Sequence, residues 1–197
     1  MVVYLTKHAG ITDLTGELTN WQASDYPIVT GGQGQVYRGR RPDGALFAIK
    51  CINSHNDEKY AKHTAQELST WAKLKNSKIL ELSGLGMFRG RLAMISPWME
   101  LGSVKNVLRD NPSMDPYAVC EQLAEVIRFI HDLNVVHGDI KADNLLMGPD
   151  GSIKLTDFGL SVMQDKTLQF SSTEFGGGGT LRWMESRDLA AAISMSD

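Results

Sequence analysis

His137-Gly138-Asp139-Ile140-Lys141-Ala142-Asp143-Asn144, followed thirteen residues after its Asn by Asp157-Phe158-Gly159, is the stretch on which the reading of this chain turns. An aspartate, a lysine two positions on and an amide three beyond that bring a proton acceptor, a cation and a hard oxygen donor into one short loop. Phosphoryl transfer requires those group types. Between the motifs, Leu145–Met147 and Ile153–Thr156 flank a Gly148-Pro149-Asp150-Gly151 turn, a small hairpin that would hold the motifs side by side. Upstream, Asp115-Pro116 starts a helix with a capping acid and a proline at the first helical position, running to about Leu133. Its apolar residues Val119, Cys120, Leu123, Ala124, Val126, Ile127, Ile130 and Leu133 cover more than one stripe, so burial on most sides is expected.

The paired motifs closely resemble the catalytic loop and metal-binding loop of protein kinases, and the resemblance runs from about Trp21 to Met184. It implies that Asp139 accepts the proton of the substrate hydroxyl and that Lys141 stabilises charge on the transferring phosphoryl group. It further implies that Asn144 and Asp157 hold Mg2+, with Phe158 packed behind them. Lys141, together with Thr180 in Gly179-Thr180-Leu181-Arg182-Trp183-Met184, resembles the serine/threonine pattern within the tyrosine-kinase-like group. Gly138 stands where an arginine that receives an activation-loop phosphate is usual, so phosphorylation of Thr167, Ser171, Ser172 or Thr173 is not expected to be required. Gly176–Gly179 reads as a hinge.

Ahead of these motifs the periodicity is that of a sheet. Strands are expected at Tyr26–Thr30, Gln35–Arg40 and Ala45–Ile52, with a Pro42-Asp43-Gly44 turn, then at Leu80–Phe88 and Arg91–Ser96 across Arg89-Gly90. Tyr60, Thr64, Leu68, Trp71 and Leu74 recur at steps of three and four and predict a helix over Asn56–Lys75. Ile28-Val29-Thr30-Gly31-Gly32-Gln33-Gly34-Gln35-Val36-Tyr37 resembles the kinase glycine-rich loop, in which bare backbone presents N–H groups to phosphates. Val29 takes the place of the family's first glycine and Gln33 that of an aromatic residue at the tip. Fourteen residues beyond Gly34, Ala48-Ile49-Lys50 ends an apolar strand, where an ammonium needs a negative partner. The resemblance gives it the α- and β-phosphates and Glu67. It also places adenine against the backbone of Pro97–Met99, with Val36, Ala48 and Leu146 as apolar plates, and Trp71, Leu82, His137 and Phe158 in an internal stack.

The expected fold is therefore α+β and bilobal: a complete N-terminal lobe of antiparallel sheet plus one helix, and a partial helical C-terminal lobe. The expected layout is a lead-in at 1–22 with an edge strand at Val2–Leu5 and no assigned chemistry, and a kinase domain at 23–184. Within that domain the N-lobe is 23–96, the connector 97–102 and the partial C-lobe 103–184, with Ser103 capping a short helix through Leu108. Residues 185–197 form a divergent tail, because Glu185-Ser186-Arg187 stands where Ala-Pro-Glu would follow. A net charge of −3 in 197 residues, without a basic cluster, favours neither nucleic acid nor anionic membrane as a partner. Cys51 and Cys120 lack metal-type spacing and read as buried reduced thiols. Met1–Thr6 lacks the layout of a secretory signal, so a cytoplasmic or nuclear location is expected. ATP, Mg2+ and a protein substrate are the implied ligands, along with a partner covering the incomplete lobe. The alternative is a truncated, weakly active or inactive nucleotide-binding module.

Overall fold

A computed structural model describes residues 6, 9–31, 34–52, 65, 68–158 and 162–163. The chain divides into two units, Met1–Glu100 and Leu101–Asp197.

In the first unit, β-branched and aromatic residues build an antiparallel sheet of β1 (Gln22–Ala23), β2 (Val29–Gly31), β3 (Gly34–Arg40), β4 (Leu46–Cys51), β5 (Gly84–Phe88) and β6 (Arg91–Pro97). The order is β1-β3-β4-β6-β5, with β2 also paired to β3. Register sorts the side chains. Val36 lies opposite Lys50, Arg38 opposite Ala48, Lys50 opposite Met94 and Ala48 opposite Ser96, so these six share one face. Tyr37, Ile49, Cys51, Ala93 and Ile95 share the other and form a core with Leu14, Leu18 and Phe88.

Leu14 and Leu18 come from the lead-in, which has more structure than its irregular sequence suggests. Leu85 N–H donates to Thr12 O at 2.9 Å and Leu14 N–H to Leu85 O at 2.7 Å, after which α1 (Thr15–Leu18) sets Leu18 against the sheet. Gly84 and Gly86 allow this approach. A Cβ on Gly84 would lie 2.7 Å from Thr12 O, and one on Gly86 2.5 Å from Leu18 Cδ1.

Several boundaries differ from the sequence reading. Tyr26 and Pro27 precede the ladder, since Pro27 has no N–H to donate and Tyr26 is 82 % exposed, and the first bond of the β2–β3 pairing runs from Ile28 N–H to Val36 O at 2.8 Å. The strand expected from Leu80 begins at Gly84, because the Leu80 carbonyl accepts a hydrogen bond from Trp71 Nε1 at 2.6 Å, tying that segment to a helix instead of to the sheet. That helix, α2, covers residues 68–73 with Leu68 and Trp71 buried. Its expected earlier part, with Tyr60, Thr64 and Glu67, lies outside the described residues, as does Val2–Leu5.

In the second unit Ser103 caps α3 (Val104–Asp110), its side chain accepting from Asn106 N–H, and Asp115 caps α4 (Pro116–Asp132) by accepting from Tyr117 N–H at 2.9 Å. The all-round burial expected of α4 is corrected: Val119, Val126 and Ile130 are buried, while Cys120, Ala124 and Leu133 are exposed. Alanine and cysteine are small and cost little in water, so the helix is amphipathic. Cys51 is buried but Cys120 is not, which corrects the paired reading of the thiols. β7 (Val135–Val136) pairs with β10 (Val162–Met163), and β8 (Leu145–Met147) with β9 (Ile153–Leu155). Gln122 on α4 braces the β8–β9 turn, donating to Gly151 O at 3.2 Å and accepting from Ile153 N–H at 3.1 Å. Among the described residues no helix is long and apolar enough to cross a membrane.

Candidate active site

The segment from His137 to Asn144 leaves β7 and enters a 3-10 turn (Ala142–Asn144) that leads directly into β8. Its aspartate is held from several sides. Asp139 is 4 % exposed, and its Oδ2 accepts from Lys141 Nζ at 2.6 Å and from Asn144 Nδ2 at 3.0 Å. The same Nδ2 donates to the Asp139 carbonyl at 2.8 Å. A buried carboxylate is costly unless paired, and here an ammonium and an amide provide the compensation. The three residues singled out by spacing therefore form one cluster.

His137 fixes the loop from beneath. Asp139 N–H donates to Nδ1 at 3.3 Å, so the ring is the tautomer protonated at Nε2, which donates to Thr156 O at 3.0 Å. Burial pulls its pKa below the ordinary 6.5, against the Thr156 hydrogen bond and the nearby carboxylates of Asp157 and Asp139, which favour the charged ring. Its ring packs on Phe158, with centroids 4.9 Å apart and Phe158 fully buried. Thr156 N–H donates to Asn144 O at 3.0 Å, so both motifs share one bonded frame. Asp157 sits at φ +71, a left-handed conformation that aspartate tolerates better than most residues.

The donor set suits Mg2+, a hard cation taken by one or two carboxylates with substrate phosphates completing its shell. Asp157 supplies a carboxylate. Asn144 spends its NH2 on Asp139, so its amide oxygen is the atom it would offer a cation.

In the first unit Lys50 is half-buried on β4 between Val36 and Met94, with Ala48 two residues earlier on the same face. Glu67 lies outside the described residues, as do Gly32, Thr180 and the serines and threonines of 167–173. Gly31 and Gly34 close the β2–β3 hairpin. Gly34, at φ +137, has no room for a side chain, because a Cβ would run into the Cys51 carbonyl oxygen. Val29 is extended, opposite Val36 and exposed, so no left-handed conformation is demanded of it. Pro97 is the last residue of β6, Met99 follows half-buried, and Leu146 lies on β8 bridged to Ser103. Trp71 and Leu82 are buried in the first unit, His137 and Phe158 in the second. Lys105, which the sequence did not single out, donates to Asp143 at 2.9 Å and ties α3 to the 3-10 turn at Ala142–Asn144. Only its place on a lysine-bearing helix face could have signalled it.

The model of the protein kinase domain matches residues 25–185, so the chain belongs to the protein kinase family. Among its relatives, serine/threonine-protein kinase 10-A of Xenopus laevis is 32 % identical over 78 % of this chain and 16 % of its own length. A putative L-type lectin-domain containing receptor kinase of Arabidopsis thaliana is 29 % identical over 84 % of this chain and 26 % of its own length. A probable serine/threonine-protein kinase of Dictyostelium discoideum is 31 % identical over 86 % and 35 %. The chain thus spans about a sixth to a third of the length of these relatives.

Proposed function

We propose that this chain is the catalytic core of a serine/threonine protein kinase that uses magnesium ATP and phosphorylates a protein substrate. The observation that carries the reading is the buried Asp139 carboxylate, oriented by Lys141 and Asn144. Asp139 accepts the proton of the incoming hydroxyl. Lys141, already at hydrogen-bond distance from that carboxylate, stabilises negative charge on the transferring group. Asn144 and Asp157 are the metal-holding residues, and Mg2+ when bound neutralises phosphate charge.

The sheet face carrying Val36, Ala48 and Lys50 receives the nucleotide. Lys50 is assigned to the α- and β-phosphates and Glu67 to its ion pair. Val29, Gly31, Gly32 and Gly34 are assigned to phosphate approach, and Pro97, Met99 and Leu146 to adenine. Gly138, exposed and at φ +80, leaves no arginine for an activation-loop phosphate, and so supports activity without prior phosphorylation. The kinase domain at 23–184, with its connector at 97–102, and a cytoplasmic or nuclear location belong to the same proposal.

The test is a titration of the chain with magnesium ATP. Lys50→Met and Asp157→Ala should each weaken binding, and unchanged affinity in both folded variants would refute the assignment.

A further inference from the structure

Arg89 and Gly90 form the two-residue turn between β5 and β6, with φ values of +51 and +76. Two consecutive positive values define a type I′ turn, whose first position favours Asn, Asp or Gly. A long charged residue is conformationally out of place there. Its contacts supply the reason. Arg89 Nη1 donates to Asp25 O at 2.8 Å and Nη2 to Ser24 O at 3.1 Å, while the guanidinium carbon lies 5.0 and 4.9 Å from the ring centres of Tyr37 and Phe88.

Ser24 and Asp25 begin the segment that runs into β2 and the glycine-rich hairpin. Ser24 is itself anchored to β3, donating to Arg38 O at 2.9 Å and accepting from Arg38 N–H at 3.2 Å. Beyond it the segment has little packing, since Tyr26 is 82 % and Ile28 52 % exposed. From the other end of the same turn, Arg91 Nη2 donates to Gln35 Oε1 at 2.8 Å, one residue past Gly34. Arg89 in the turn and Arg91 just after it therefore hold the segment leading into the hairpin and its return strand β3, respectively. Where apolar burial is scarce, polar tethers of this kind determine where a segment sits.

We propose that Arg89 is a positioning residue for nucleotide binding: it anchors residues 24–25, from which the chain enters the glycine-rich hairpin, so that the glycine backbone meets the phosphates in a fixed place. The proposal rests on the kinase reading above, and its test separates the two.

The informative variant is Arg89→Asn, because asparagine suits the turn yet cannot reach Ser24 and Asp25. Arg89→Lys, which can keep one contact, serves as the conservative partner. In the full chain, Arg89→Asn should keep the thermal midpoint and the hydrogen-exchange protection of 84–97. It should speed exchange over 24–36 and weaken magnesium ATP binding about three- to tenfold, the size of about one modest hydrogen bond. Any rise should appear in the KM for ATP with kcat at saturation unchanged, and Arg89→Lys should fall between. Wild-type exchange and ATP affinity in Arg89→Asn would overturn the proposal. So would a uniform loss of protection with a lowered midpoint, which marks a purely structural residue. If the wild-type chain binds no ATP, the kinase reading fails, and exchange over 24–36 alone decides whether Arg89 is a clamp.

Discussion

Replacing His137 with Phe tests whether the two motifs share one frame. Phenylalanine keeps the aromatic contact with Phe158 but removes both ring hydrogen bonds, leaving the Thr156 carbonyl and the Asp139 N–H without their partners in a buried setting. Each such group costs about 1–3 kcal/mol, so the pair should cost roughly 2–6 kcal/mol. Against a typical domain stability of about 5–15 kcal/mol that is a large fraction, and urea unfolding followed by tryptophan fluorescence would register it. The pH dependence adds a second readout. Because the folded-state pKa of His137 lies below 6.5, the unfolded chain takes up the proton first as pH falls. The stabilisation is therefore complete above 6.5 and is lost as pH drops through 6.5 toward the lowered value. The wild type should lose stability over that window, and His137→Phe should lack that component. A variant as stable as the wild type with the same pH slope would refute the account of the frame.

Further expectations follow from single contacts. Gly34→Ala should cost about 1–3 kcal/mol through the clash with the Cys51 carbonyl and the left-handed backbone, seen as a lower thermal midpoint together with weaker ATP binding. Leu18→Ala should cost about 2–5 kcal/mol by opening the core between lead-in and sheet, and a neutral result in chemical denaturation would remove the lead-in from the fold. Gln122→Ala should raise hydrogen exchange across 148–153 while sparing α4, because it removes the brace on the β8–β9 turn. Transfer should label serine or threonine and survive phosphatase treatment. Predominant phosphotyrosine, or activity lost on dephosphorylation and restored by rephosphorylation, would contradict the reading of Lys141 and Gly138.

What was legible in the sequence was what is local. Asp115-Pro116 and Ser103 announce their helices because capping is decided within a turn, and the β8–β9 hairpin follows from the Gly148-Pro149-Asp150-Gly151 turn signal between two short strands rich in Leu and Ile. The proximity of Asp139, Lys141 and Asn144 was equally readable, since six consecutive residues hold all three. Long-range packing was not. Leu14 and Leu18 are spaced for one helix face, but nothing near them says that Gly84 and Gly86, some seventy residues on, leave room for them. In sequence α4 reads as more deeply buried than it is, because Ala124 and Cys120 count as apolar alongside Val126 and Ile130 although small side chains tolerate water. The strand expected at Leu80 was shortened by one indole hydrogen bond from Trp71, a tertiary contact that periodicity cannot register.

The central claim is that Asp139 serves the incoming hydroxyl and not the nucleotide. Its most direct test measures magnesium ATP affinity and phosphate transfer on the same samples of wild-type chain and Asp139→Asn. The account predicts transfer by the wild type, and in the variant near-unchanged ATP affinity with transfer reduced by orders of magnitude. Transfer persisting in Asp139→Asn, or lost only in step with ATP binding, would contradict it.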